Sequence, residues 1–251
     1  MRKAIGIATL FLIIVFLLSA QADPMKQADD YSGSLVIYYN NSDPSAGSFT
    51  FTWKYPCIDE SEEDADIVNS FYLEQIEMDE SNMMFFADGY SENGESVLKE
   101  VSYSVTCNND DYFSVLLTQN LYVGERHRVL CTGNTFSRRN GEVGAAFDLP
   151  RLLGILDSGE LDDYTIERQS EKATDIVLEM IMDQIFNNPD NIPYHDDITF
   201  DFLREHVSPQ EDFYLDENGD PVFYITPGTV ADDSAGYLFF PVPLEDIVDE
   251  L

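Results

Sequence analysis

Between Phe213 and Pro243 the chain reads FYLDENGDPVFYITPGTVADDSAGYLFFPVP, and this stretch limits the possible folds more than any other. Two aromatic, apolar runs, Phe213 to Leu215 and Val222 to Ile225, flank Asn218-Gly219, the dipeptide that best tolerates the positive φ angles of a tight hairpin turn. A third run, Tyr237 to Val242, follows the small-residue turn Ser234-Ala235-Gly236. The pattern predicts a three-stranded antiparallel meander. Nothing in the stretch has the form of a catalytic motif.

Strand signals recur upstream. Tyr31 to Asn40 and Ser48 to Tyr55 read as two strands joined by a turn over Asn41 to Gly47, with Pro56 stopping the second. Val101 to Cys107, Tyr112 to Tyr122 and Arg128 to Phe136 form a second meander, in which Tyr103, Val105, Phe113, Val115 and Leu117 alternate with polar residues. Met83 to Ala87 has the composition of one further strand. Helices are fewer. The acidic run Asp59 to Asp66 leads into one carrying Val68, Tyr72 and Ile76 on one face, with Ser61 and Asp64 spaced as a capping box. Asp148-Leu149-Pro150 starts a short one. Another runs from about Ile166 to Phe186, with Ala173, Val177, Met180, Ile181 and Ile185 on one side. Pro243 opens a last short helix, LEDIVDEL. Clustered strands with two long helices predict an α+β fold: antiparallel sheets with helices packed on them, ending in the C-terminal meander and short helix.

The first residues, MRKAIGIATLFLIIVFLLSAQA, combine a basic end with an uncharged apolar run and finish in the small-x-small pattern Ala20-Gln21-Ala22. They are expected to be a secretory signal, residues 1–22, cleaved before Asp23. The alternative is an uncleaved anchor. The net charge is −35, and losing Arg2 and Lys3 makes it more negative still. Such a chain repels nucleic acid and anionic lipid, so an electrostatically steered partner is cationic, though dispersed acidic residues also simply solvate a surface. Three cysteines allow at most one internal bridge. In the second meander Cys107 and Cys131 fall on strands either side of a central one, roughly 9 to 10 Å apart, beyond disulfide reach. A bridge would use Cys57, and all three thiols free is the other possibility.

Candidate chemistry is sparse. The three histidines, His127, His195 and His206, lack the close ligand spacing of a catalytic zinc site. Asp216-Glu217-Asn218-Gly219-Asp220 resembles the start of a calcium loop, but its sixth and twelfth positions are Pro221 and Pro227, where such a loop needs glycine and glutamate. Thr199-Phe200-Asp201-Phe202 lacks the second aspartate of the deacetylase TFDD signature. GxSxG, Walker and GxGxxG motifs are absent from the sequence. No cofactor or metal is expected, no catalytic residue is assigned, and the binding residues are left open. The aromatic content, 14 Tyr and 17 Phe, suits either a binding face or cross-strand packing.

FYLDENGDPVFYI, the SAG turn and FFPVPLEDIVDEL together resemble the C-terminal domain of unknown function of lysozyme-sensing (RsiV-like) anti-sigma factors. The N-terminal half is similar to its companion, the deacetylase-associated (PdaC-like) domain. There Trp53-Lys54-Tyr55-Pro56 precedes a helix containing Asn69, and Tyr122-Val123-Gly124-Glu125-Arg126-His127 aligns with a GGAH turn. Thr135-Phe136, Asn140-Gly141 and Asp148-Leu149 follow in the family's order. In the turn only Gly124 and His127 match, and the cytoplasmic anti-sigma region is missing from this sequence. The resemblance implies helices on antiparallel sheet and a sensing role at the cell envelope. It divides the chain into 1–22, a deacetylase-associated-like region 23–146, and an ectodomain-like region 147–251. The expected function is that of an exported, non-enzymatic binding or sensing protein, periplasmic, cell-surface or extracellular. Its ligand would be a cell-wall glycan (peptidoglycan) or a cationic protein such as lysozyme, with no nucleic-acid partner and no transmembrane segment after cleavage. The alternative is an envelope polysaccharide deacetylase or hydrolase.

Overall fold

The computed structural model describes residues 24–39, 47–62, 65–91, 95–138, 148–156, 161–187 and 190–251. The signal segment and its cleavage site, the turn at 41–46, Asp64 and the region boundary at Ala146 lie outside the described residues.

Among the described residues, eight strands and five α-helices form an α+β fold. In chain order they are β1 (Tyr31–Tyr38), β2 (Ser48–Tyr55), α1 (Ala65–Ser91), β3 (Val97–Asn108), β4 (Tyr112–Val123), β5 (Arg126–Ser137), α2 (Leu149–Leu152), α3 (Asp163–Asn187), α4 (Phe200–His206), β6 (Phe213–Leu215), β7 (Pro221–Ile225), β8 (Leu238–Pro241) and α5 (Leu244–Glu250). A five-stranded sheet has the order β1-β2-β3-β4-β5, and a three-stranded antiparallel sheet the order β6-β7-β8. One pair departs from the antiparallel expectation: β2 and β3 run parallel. Parallel neighbours need a long crossover, and α1 supplies it.

Met83 to Ala87 is not a strand. The residues continue α1, in which Met83 is buried and Phe85 is 79% exposed. A short apolar run cannot by itself distinguish helix from strand, and here it extends the helical stripe of Val68, Tyr72 and Ile76. Ser61 is not the cap of that helix either. Its amide and hydroxyl both bond Asp59, and α1 begins only at Ala65. Asn69 is buried and clips the segment after β2 to the helix: its Oδ1 accepts from the Ile58 amide at 2.8 Å and its Nδ2 donates to the Ile58 carbonyl at 2.8 Å.

The C-terminal hairpin forms, by a different turn. Leu215 pairs with Pro221, so five residues connect the strands. Gly219 takes φ +89° while Asn218 stays out of the positive-φ region. The organiser is Asp216, whose Oδ1 accepts from the amides of Asn218 (2.8 Å) and Asp220 (3.0 Å). An aspartate that folds its own loop this way needs no cation.

Two cores result. The first lies between α1 and the large sheet, around Phe51, Tyr55, Tyr72, Phe113 and Phe136. The second joins α2, α3, α4 and α5 to the small sheet, around Val177, Ile181, Leu203, Phe223 and Phe240. A β-bulge between Val105 and Cys107 reverses the side-chain alternation of β3 and sends Cys107 into the second core. The two sheets meet where β6 crosses the large one. Ser114, fully buried, accepts the Leu215 amide at 3.0 Å and bonds the Thr135 hydroxyl at 2.9 Å. A Cβ at Gly133 would stand 1.8 Å from the Phe213 carbonyl oxygen.

That crossing sets a test. Gly133→Ala must push the sheets apart and should cost about 2 to 3 kcal/mol. Urea unfolding monitored by circular dichroism checks it, and an unchanged midpoint would mean that the crossing tolerates a side chain.

Candidate functional site

Helical spacing places residue 79 on the buried stripe of α1, three after Ile76 and four before Met83. An aspartate stands there. Strand alternation places residue 99 between the inward-facing Val97 and Val101 of β3. A lysine stands there. The two meet, with Lys99 Nζ 2.6 Å from Asp79 Oδ1 and the side chains retaining 18% and 20% exposure. The second carboxylate oxygen accepts the Tyr55 hydroxyl at 3.0 Å, and Lys99 Nζ lies 5.2 Å from the centre of the Phe51 ring. Burial first, and the adjacent Asp79 charge second, push the Tyr55 phenol far above its usual range, so it remains a donor.

Beside this pair is a cavity of about 220 Å³. Phe49, Met83, Leu121 and Leu130 give it apolar walls, and Asn82 and Gln119 add amides that can donate and accept. Pockets that enclose a drug-sized molecule run from about 300 to 1,000 Å³. This one suits a single side chain or substituent of a larger ligand. Leu130 belongs to the edge strand β5 and is 50% exposed.

The residues singled out from sequence are scattered. His127 stacks on Tyr122 at 4.3 Å and bonds Asn120 Oδ1 at 2.9 Å. The His195 amide donates to the Val230 carbonyl at 2.9 Å. His206 ends α4, stacked on Phe202 with Nδ1 2.9 Å from its carbonyl oxygen. Thr199 caps α4 by accepting the Phe202 amide at 3.2 Å, so the TFDF string is a helix start. Asp59, from the acidic run, is held below the usual carboxylate range by Ser61 and by Lys26, whose Nζ is 2.9 Å away. Among the described residues no three His, Cys, Asp or Glu side chains are grouped to hold a metal ion. Cys57, Cys107 and Cys131 are all free. Burial, then the nearby Asp216 charge, pushes the Cys107 thiol up to about 11, and burial also raises Cys131.

An aromatic cluster borders β5. Tyr214, Tyr224, Tyr237 and Phe239 are linked on the small sheet by ring contacts of 6.0 to 6.4 Å. The Tyr224 hydroxyl accepts the Gly133 amide at 3.0 Å, and the Tyr237 phenol, its pKa raised chiefly by burial, lies near the backbone of Cys131.

An α+β protein with a small polar-and-apolar groove under a helix is the class this geometry defines. The fold is shared with a solved structure: a DUF3298 family member from Bacteroides fragilis superposes with a TM-score of 0.54 and 13% identity, over 88% of this chain and 92% of that one. A DUF3298 family protein from Pseudomonas aeruginosa gives a TM-score of 0.49 and 13% identity, over 90% and 93% of the two chains. By sequence, no family model and no curated protein matches the chain. The likeness to the Bacteroides fragilis structure shows the fold alone.

Removing one partner of the half-buried pair should destabilise the chain by about 1 to 3 kcal/mol. Lys99→Met and Asp79→Asn combined should recover part of that loss, and a double-mutant cycle by urea unfolding with no coupling would refute the pairing. Thiolate, not thiol, is the nucleophile. At pH 8 the folded chain should therefore leave Cys107 unmodified by a disulfide reagent, whereas all three cysteines react once it is unfolded; mass spectrometry of the modified peptides reads both states.

Proposed function

We propose that this chain is an exported, non-enzymatic binding protein of the bacterial cell envelope, with the groove between α1 and the large sheet as its ligand site. One observation carries the reading: apolar walls and two amides surround a preformed ion pair in a cavity sized for part of a ligand. Asp79 is engaged by Lys99 and by Tyr55, which suits a fixed recognition element better than a general base. Two further considerations support the envelope setting. The N-terminal sequence has the form of a secretory signal, and the ordered motifs resemble the lysozyme-sensing anti-sigma ectodomains and their deacetylase-associated companion. A net charge of −35 favours a cationic protein such as lysozyme in encounter, and the resemblance to envelope domains supports a cell-wall glycan as the other ligand.

Calorimetry of residues 23–251 with peptidoglycan fragments and with lysozyme at low salt tests the proposal. Binding of one of them should weaken at least tenfold in Leu121→Trp, which fills the cavity. Equal binding by the variant would remove the groove from the account. Acetate release from peptidoglycan would replace binding with deacetylation.

A further inference from the structure

The upper part of β5 is a free sheet edge. It is the last strand of its sheet, and no other strand or bridge pairs with its outer side among the described residues. The Gly133 amide points outward to Tyr224, so alternation in an antiparallel ladder points the amides of Cys131, Val129 and His127 outward too. Tyr237 and Tyr224 occupy the edge at Cys131 and Gly133. Only Arg126 to Leu130 remains open, with Arg126, His127, Arg128 and Leu130 exposed. Arginines on an edge ordinarily discourage pairing. Here the open window also forms one wall of the groove: Arg128 pairs with Leu121 and Leu130 with Gln119, and three of these four line the cavity. Arg126 is neutralised by Glu95 at 2.9 Å, whereas Arg128 has no ion-pair partner among the described residues.

We infer that Arg126 to Leu130 accepts one extended polypeptide segment as a sixth strand, with an apolar side chain in the cavity and a carboxylate two residues away against Arg128. The segment is extended because the free backbone groups of an edge demand it, with the pocket reading alternate side chains. A carboxylate and an apolar residue at positions i and i+2 share one face of a strand, as Arg128 and Leu130 do. The chain's overall negative charge does not prevent this, because beyond about 8 Å physiological salt screens it while a direct contact to Arg128 persists. This inference rests on the groove as the ligand site and assigns it an extended polypeptide segment with a local carboxylate, in place of a glycan or a folded cationic protein.

A displayed library of linear decapeptides, selected on residues 23–251, tests it. Enriched peptides should share an acidic-x-apolar pattern, and synthetic versions should bind Val129→Pro at least tenfold more weakly, since proline removes one outward amide without touching the ladder. Arg128→Glu should switch the selected acidic position to basic. If Val129→Pro fails to fold by circular dichroism, methylating alternate amides of the peptide gives the same information: one alternation abolishes binding and the other leaves it. No enrichment, or equal binding by the edge variants and by both methylated peptides, overturns the inference. Peptidoglycan or lysozyme binding that is lost in Leu121→Trp but kept in Val129→Pro would leave the groove reading standing and remove only the sixth strand.

Discussion

The two halves of the molecule are held in register by a crossing of backbones. At β6 the small sheet approaches the large one so closely that Gly133 has no room for a side chain, and Ser114 replaces a ladder partner for the Leu215 amide. A buried hydroxyl without a partner costs free energy, and so does a buried amide; joining them settles both and adds Thr135 to the same network. Everything on the small sheet inherits its position from this contact. Tyr224 and Tyr237 reach the β5 edge because β7 and the residue before β8 follow β6.

The groove depends on a different balance. A lysine and an aspartate placed on inward-facing positions would be costly if either were alone, and their mutual attraction offsets most of the lost hydration because each keeps about a fifth of its surface in water. Tyr55 and the Phe51 ring hold the pair in one geometry. The result is a fixed dipole at the side of an apolar cavity. Such a feature orients a ligand more than it attracts one.

Much of the fold was legible because burial follows period. Alternation marked the strands of the large-sheet meander, apolar runs around turn residues marked those of the C-terminal one, and four-residue spacing marked α1 and α3. The failures were local. The run Met83 to Ala87 is apolar in either reading, and only the continuation of α1 decides between them. The Asn218-Gly219 turn was expected from its dipeptide, yet the side chain of Asp216 sets the loop. The parallel pairing of β2 and β3 leaves no mark in either strand. The groove was missed although its signal was present: Asp79 interrupts the apolar stripe of α1, and Lys99 interrupts the inward positions of β3. A charge on a face otherwise reserved for the core is the trace that a half-buried pair leaves in a sequence. What no sequence pattern could supply is that the two interruptions face each other.

The parallel pair has a consequence for the order of assembly. β3, β4 and β5 are joined by short turns, so their ladders close over small loops, whereas β2 can find β3 only after the whole of α1 has been placed. Contacts that span a long loop form late, because the chain entropy must be surrendered before the contact repays it. The β1-β2 hairpin, although first to be synthesised, is therefore expected to dock after the three-stranded meander has formed. Until it does, β3 presents an open edge, and α1 lacks the sheet surface that buries Tyr72 beside Tyr55.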